Sequence, residues 1–470
     1  MNRREVFLIE DRGRTALFAP YVGLIMEVSK DEKEITAALI RQPQFSFRDL
    51  VKVFPEINND RLLLRKAEMG NVIEKKRTFS PDSAVLLTTT DCNLRCIYCY
   101  ANAGEQRVSM NQQTAKATID FIVRNAKSKE QKRCSLGFHG GGEPTLNWSV
   151  FQFAVSYFQE KTQENELVSE IDLATNGMLS RKQIDWIAQH ISVVQVSLDG
   201  TREIQNFQRP TVGKGKSFTT VCNTIKSLQT KGVRVLIHSV VTEKSVRRIS
   251  EIIRFLVTNF PDTTIHLEPA SKCGRGLTTD QQFPSSKLFV KGLIEAQKIA
   301  ERFGVEVLYS GADPGLVEFR ESFCGVSVPS FIVTPTGLVT ACYEVAELAH
   351  PLAEHFIYGY LDNSDKHFVF DYQKIEKLRS LGMEIDPRCE ECFAHPYCVG
   401  DCLAKSLNSR GERSAPFLNP RCMVNQELVR RYVFNRLFST RKEDCREDAS
   451  GRRKEQAADC LPQRQSGHSA

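Results

Sequence analysis

The sequence predicts an α/β protein built on a parallel sheet. From Ser83 to about Ala270, six short apolar stretches alternate with longer amphipathic ones, and each apolar stretch ends in polar or glycine-rich residues. The length of 470 residues and a hydrophobic fraction of 41% predict two or three globular domains with ample cores. The candidate strands are SAVLLTTT, SLGFHGG, SEIDLATNG, SVVQVSLDG, VRVLIHSVVT and TIHLEPA. Between them, NQQTAKATIDFIVRNA, SRKQIDWIAQH and SVRRISEIIRFLV carry apolar residues at helical spacing. Such alternation argues for right-handed crossovers in one sheet, either open or closed part-way into a barrel. In both cases ligands bind beyond the carboxyl ends of the strands, where the tails TTTDC, GGGEP, ATNG, SLDG and EPA fall.

Around this unit, assigned to residues 81–280, the chain divides further. Residues 1–80 mix the apolar stretches Val6 to Ile9 and Ala16 to Ile25 with a helix-like KEITAALIRQ and a charged segment through Arg61 to Lys76, as a small appended N-terminal domain would. A long amphipathic helix, Ser286 to Phe303, opens a second domain over residues 281–435, cysteine-rich from Cys324 to Cys422. Residues 436–470 mix charges of both signs with Gly, Ser and Gln, and read as a disordered tail.

Charge and composition exclude several classes. The balance of 63 Lys+Arg against 57 Asp+Glu leaves +6, with no basic block, so nucleic acid is not the expected partner. No run of eighteen apolar residues occurs, and the opening MNRREVFLIEDRGR lacks an apolar signal core. The expectation is a cytoplasmic protein with no membrane partner. In reducing surroundings its fifteen cysteines stay available to metals or catalysis.

The first strand runs into Cys92-Asn-Leu-Arg-Cys96-Ile-Tyr-Cys99. Three thiolates at this spacing can hold three irons of a [4Fe-4S] cluster and leave the fourth open to a chelating ligand. The alternative is zinc, which prefers four protein ligands, and no fourth Cys or His lies within the loop. With the aromatic Tyr98 before its last cysteine, the loop resembles the signature of the radical S-adenosylmethionine (SAM) enzymes. That resemblance implies a partial (β/α)6 TIM-like barrel, SAM bound to the open iron, and its reductive cleavage to a 5'-deoxyadenosyl radical that takes hydrogen from a substrate. Gly140 to Pro144 matches the family's GGEP motif, and Gly141, Gly142 and Glu143 would meet the SAM amino group. Glycines expose backbone groups, and a carboxylate suits an ammonium. Tyr98 would lie beside the cofactor, Asn176, Ser197 and Asp199 would contact the nucleoside or substrate, and Arg209 would stand near the SAM carboxylate. Singly, such Gly-Gly, Asn-Gly and Asp-Gly pairs are ordinary turns.

Cys324, Cys342, Cys389, Cys392, Cys398, Cys402 and Cys422 resemble the C-terminal SPASM extension of these enzymes, which holds two auxiliary iron-sulfur clusters. The alternative is a zinc ribbon. By the family pattern Cys389, Cys392, Cys398 and Cys422 would hold an outer cluster, and Cys324, Cys342 and Cys402 an inner one, both expected to be of [4Fe-4S] type. Some relatives add a cysteine shortly before the position of Cys324, where this chain has Glu318, Arg320 and Glu321. The inner cluster would then keep an open iron, or Cys273 would supply its fourth ligand. Cys273 could also donate a hydrogen atom, or be an inert buried thiol. Anaerobic sulfatase-maturating enzymes resemble this chain but carry Asp where Tyr343 stands. Glu344, one residue on, is a candidate general base or a solvated surface carboxylate. His139 is either a hydrogen-bonded rim histidine or a proton carrier. Cys134 and Cys222 read as structural, Cys445 and Cys460 as incidental.

These readings imply a radical SAM peptide maturase that forms a thioether or carbon-carbon cross-link in a ribosomally made precursor peptide. An electron donor such as flavodoxin or ferredoxin would serve it. Oxidation of Cys or Ser to formylglycine is the alternative reaction, and a non-catalytic metal-binding peptide-recognition protein the alternative class. Residues 1–80 weakly resemble leader-binding winged-helix domains, in which an extended leader adds to a sheet edge.

Overall fold

The computed structural model describes residues 5–42, 45, 47–54, 79–279, 283–312, 316, 319, 323–324, 330–362, 364–383, 387–398, 402–410 and 420–447. Cys460, Glu318, Arg320 and Glu321 lie outside the described residues, as do 55–78.

Each of the six apolar stretches forms a strand: β4 (Ser83–Leu86), β5 (Arg133–Phe138), β6 (Val168–Thr175), β7 (Val193–Ser197), β8 (Arg234–Val241) and β9 (Thr264–Pro269). They pair in parallel and in chain order, as the partial (β/α)6 barrel requires, and β10 (Glu306–Leu308) adds a seventh parallel strand beside β9. Alternation along the strands sorts the side chains. Cys134, Leu136 and Phe138 of β5, and Val235, Ile237 and Val241 of β8, are buried against the helices. The positions between them face the concave side and are half-buried and largely polar there: Ser197, His238 and His266 stand in one row across β7, β8 and β9.

Two features were not legible beforehand. Beyond β4 the sheet continues through β11 (Ile332–Val333), β12 (Leu338–Thr340), β13 (Ile357–Leu361) and β14 (Phe368–Phe370), so the cysteine-rich region extends the barrel sheet. Phe121, on the helix Gln112–Ser128, packs its ring within 5.3–5.6 Å of Phe331, Phe368 and Phe370 and fixes that continuation. The second concerns the tail expected to be disordered from 436. The helix Pro420–Glu447 runs through it, because Val424, Leu428, Val429, Val433 and Leu437 form one buried face. Of the tail, residues 448–470 lie outside the described residues.

The N-terminal strands β1 (Phe7–Asp11), β2 (Arg14–Ala19) and β3 (Leu24–Val28) form an antiparallel sheet. Its two faces are both covered. Val6, Leu17, Ala19 and Val28 pack with Phe47, Leu50 and Phe54, while Phe7, Ile9, Ala16 and Phe18 belong to the main core. Phe18 stacks on Tyr397 at 6.4 Å, one residue before Cys398, and Arg14 covers Phe438 of the last helix at 4.3 Å. The sheet is therefore part of the cysteine-rich region's packing rather than an appendage to it.

Phe18→Ala should accordingly lower stability by about 3–5 kcal/mol, the usual cost of emptying a buried aromatic site. The half-exposed Ile35→Ala should change it by no more than about 0.5 kcal/mol. Urea unfolding midpoints of the two variants check this.

Candidate active site

Local hydrogen bonds shape the loop after β4. Thr88 Oγ1 donates to Pro144 O at 3.1 Å, Thr89 Oγ1 to Val108 O at 3.0 Å and Thr90 Oγ1 to Gln106 O at 2.8 Å, so the TTT run fixes two neighbouring loops. Asp91 Oδ1 accepts from Cys92 N at 2.8 Å. The Arg95 guanidinium then gathers three carbonyls, Cys92 O, Leu94 O and Gly104 O, at 2.7–2.9 Å. From the far end of the barrel, Arg275 closes over the loop: its side chain donates to Cys96 O at 3.0 Å and to Ala103 O at 2.8 Å. Gly274 is required there, since it has φ +48° and a Cβ on it would meet Cys99 O at 2.3 Å. Arg95 and Arg275 escaped the sequence reading; the only signal for the second was the CGRG turn after the sixth strand.

Donors meet the sulfurs of this loop. Leu94 N lies 3.4 Å from Cys92 Sγ, Asn176 Nδ2 3.7 Å from the same sulfur, and Arg209 Nη1 3.9 Å from Cys96 Sγ. Burial pushes the Cys92 thiol up to about 11 and the Cys96 thiol to about 12, so both stay protonated until a metal displaces the protons. Among the described residues, no three Cys, His, Asp or Glu side chains stand close enough to share a single ion.

The glycine run lies against this loop. Gly142 N donates to Thr89 O and Glu143 N to Asp91 O, both at 2.8 Å, and a Cβ on Gly142 would fall 1.9 Å from Asp91 O. Gly140 and Gly141 turn the chain with φ +91° and +65°. Glu143 is directed inward: Oε1 accepts from Thr145 Oγ1 at 2.7 Å and Thr175 Oγ1 at 2.8 Å, and Oε2 from Asn176 N at 2.7 Å. Burial raises its pKa, against these bonds. Asn176 in turn donates to Asn93 Oδ1 at 2.7 Å. The carboxylate thus joins the glycine turn to the end of β6, and Oε2 retains room for one further donor.

Asp199 is fully buried: Tyr98 Oη donates to Oδ2, Gln208 Nε2 donates to Oδ2 at 2.8 Å, and Val240 N to Oδ1 at 3.0 Å. Arg209 Nε stands 3.0 Å from Oδ1, and its guanidinium lies 5.3 Å over the Tyr98 ring. Burial works against the charge on Arg209, and Asp199, Tyr98 and Cys96 together more than offset it, so the guanidinium is held positive. Ser197, at the end of β7, is half-buried on the concave face.

A second group lies across the glycine run. Cys342 is flanked by Cys402 and Cys324, and Cys402 is also a neighbour of Cys273. Cys273 is buried with its thiol in hydrogen-bond reach of Glu344, which is half-buried and not a solvated surface group. Lys405 Nζ donates to Ser271 Oγ at 2.6 Å and ties the Cys273 loop to the helix that follows Cys402. Between the two groups stand tyrosines that directly follow Cys99 and Cys342. A Cβ on Gly140 would meet Tyr343 Cδ1 at 3.0 Å and Tyr100 Oη at 3.3 Å. His139 meets the Tyr343 ring edge-on at 4.8 Å, and burial pushes its pKa down to about 4, so it is neutral. Cys392 N bonds Cys389 O at 3.2 Å, and Gln426 Nε2 reaches Cys392 Sγ at 3.5 Å from the helix that carries Cys422. Cys134 and Cys222 are buried in the core, apart from both groups, and Cys445 lies in the last helix.

A partial barrel with a three-cysteine loop, a glycine turn and a buried arginine at its strand ends defines a site for a sulfur-ligated cofactor and a small charged ligand. Residues 86–256 match the family model of the Radical SAM superfamily. This stretch is a Radical SAM domain, and on that ground the chain is a radical SAM enzyme. It is 24% identical over 332 residues to a cysteine-type anaerobic sulfatase-maturating enzyme of Clostridium novyi, covering 67% of this chain and 85% of the relative. It is 23% identical over 342 residues to the antilisterial bacteriocin subtilosin biosynthesis protein AlbA of Bacillus subtilis, covering 70% and 68%. Among solved structures, anSMEcpe with bound AdoMet and Cp18Cys peptide has the same fold, at a TM-score of 0.61 and 20% identity over 77% of this chain and 99% of that one. No described helix is long and apolar enough to cross a membrane.

Asp199→Asn would leave the buried Arg209 without its counter-ion, and should cost about 3–5 kcal/mol in chemical denaturation. Ser197→Ala, with no such partner, should cost about 1 kcal/mol or less in the same measurement.

Proposed function

We propose that this chain is a peptide maturase that cross-links a ribosomally made precursor through a thioether or carbon-carbon bond. The observation that carries the reading is the pair of cysteine groups facing each other across Tyr100 and Tyr343. In this reading Cys92, Cys96 and Cys99 hold a [4Fe-4S] cluster, Cys324, Cys342 and Cys402 an inner auxiliary cluster, and Cys389, Cys392, Cys398 and Cys422 an outer one. When bound, the first cluster and SAM supply a 5'-deoxyadenosyl radical for hydrogen abstraction, and the auxiliary clusters give an oxidation somewhere to send its electron. The chain's own groups do the positioning. Arg209 supplies a fixed positive charge for the SAM carboxylate, the remaining lone pair of Glu143 and the Gly141-Gly142 turn suit the ammonium, and Asn176 orients the loop sulfur. Tyr98 backs the loop, and the row of Ser197, His238 and His266 lines the concave face that a peptide would enter.

Cys273 is the candidate to complete the inner cluster, a reading supported by Cys402 as its neighbour and by the Ser271–Lys405 bond that holds its loop. The peptide relationship is supported by the sulfatase-maturating and subtilosin relatives and by the peptide-bound structure of the same fold. Formylglycine formation is the second reading, favoured by the half-buried Glu344 beside Cys273 and opposed by Tyr343 at the position after Cys342. An electron donor is required, residues 1–80 are the candidate leader-binding part, and the chain would work in the reducing cytoplasm.

Anaerobically reconstituted protein, reduced and given SAM, should release 5'-deoxyadenosine, and Cys96→Ala should not. The cognate peptide should then lose two hydrogens per cross-link by mass spectrometry; a gain of aldehyde instead selects the second reading. Cys273→Ala should convert the electron paramagnetic resonance (EPR) signature of one auxiliary cluster on mild oxidation to that of a three-iron species. An unchanged spectrum would return Cys273 to the status of a buried thiol.

A further inference from the structure

We propose that the outer wall of the cysteine loop is the docking surface of an acidic one-electron carrier protein, an inference that rests on reading Cys92, Cys96 and Cys99 as iron ligands. Ile97, between Cys96 and Tyr98, is held from outside by Gln208 O at 3.0 Å from its amide and by Thr279 Oγ1 at 2.6 Å from its carbonyl. Beside these two contacts, Phe207 is 43% and Leu277 62% exposed. On the Cys92 side, Val212 N donates to Asn93 O at 3.0 Å, and Val212 is 50% exposed. Three large apolar side chains thus stand in water within two residues of the groups that bond the cysteine loop's backbone. The inner side of the same loop is closed by Asp199 and Arg209.

The surroundings of these three side chains are cationic. Lys214, Lys216, Lys244 and Lys272 are exposed, and among the described residues none has a carboxylate partner. Lys244 Nζ lies 4.3 Å from the centre of the Phe207 ring. Lys214 is raised by a turn in which Gly213 has φ +82° and Lys214 itself +63°. The neighbouring carboxylates are already engaged: Asp91 with Cys92 N and Arg107, Glu105 with Arg275, Glu203 with Arg248, and Glu243 with Ser285 N. An apolar centre inside an unpaired basic rim matches a protein with an acidic rim around an exposed redox group. Nucleic acid would need the basic residues spread along a track, without an apolar centre. In the transfer the carrier is oxidised by one electron and the loop's cluster is reduced by one; no bond forms or breaks.

The test uses the full reconstituted chain and fully reduced flavodoxin, with cluster reduction followed by rapid-mixing visible absorbance. The double charge reversal of Lys214→Glu with Lys216→Glu should slow reduction by flavodoxin on the order of tenfold or more at low salt, and remove most of the salt dependence. Dithionite should reduce wild type and variant alike. Unchanged flavodoxin kinetics would overturn the docking surface, as would a variant defect that appears only in duplex DNA binding. A wild-type protein that dithionite cannot bleach at all would instead sink the iron assignment on which the proposal stands.

Discussion

The buried Asp199 carboxylate is the point on which the site depends. A fully buried anion is tolerable only when its oxygens are satisfied and its charge is matched. Here Tyr98, Gln208, Val240 N and Arg209 all converge on it. Each comes from a different piece of the active rim: the cysteine loop, the helix after β7, strand β8 and the segment that leads to the exposed lysines. One residue at a strand end therefore fixes the height of the cysteine loop over the sheet and holds a positive charge beside Cys96. The same logic applies on the neighbouring strand, where Glu143 joins the glycine turn to β6 through Thr145, Thr175 and Asn176.

These buried carboxylates fix the groups around them: the glycine backbone, the guanidinium of Arg209 and the ends of the strands that carry the half-buried row on the concave face. Cys273 and Glu344 adjoin each other on the cysteine-rich side, and Tyr100 and Tyr343 stand against the glycine run. The N-terminal sheet is wedged behind that side, with Phe18 on Tyr397 next to Cys398. Whatever engages the sheet is therefore mechanically close to the outer cysteine group, through packed aromatic rings rather than a flexible linker.

The parts of the fold visible in the sequence are those with strong periodicity. The six barrel strands stood out as short apolar stretches that end in glycine or polar tails and alternate with segments of helical spacing. Strands β10 to β14 are only two to five residues long and were invisible as strands, because so short a run has no readable period. Residues 436–447 looked disordered from their mixed charges, yet Leu437 completes an apolar stripe that begins at Val424. At the site, cysteine spacing and the glycine run were legible because their chemistry admits few alternatives. The partners of Asp199 were not legible, because a carboxylate at a strand end looks the same in sequence whatever it faces. Arg275 and Lys405 act on carbonyls and a hydroxyl far away in the chain, and Arg95 on carbonyls of its own loop, which the side chains' sequence positions do not reveal.

The central claim is that the Cys92-Cys96-Cys99 loop presents an iron with a free coordination position to SAM. EPR of the reduced protein, with the Cys96→Ala spectrum subtracted to isolate the loop's cluster, tests it before any turnover. The account predicts that adding SAM changes the shape and position of that difference signal. A difference signal that SAM leaves untouched would contradict it.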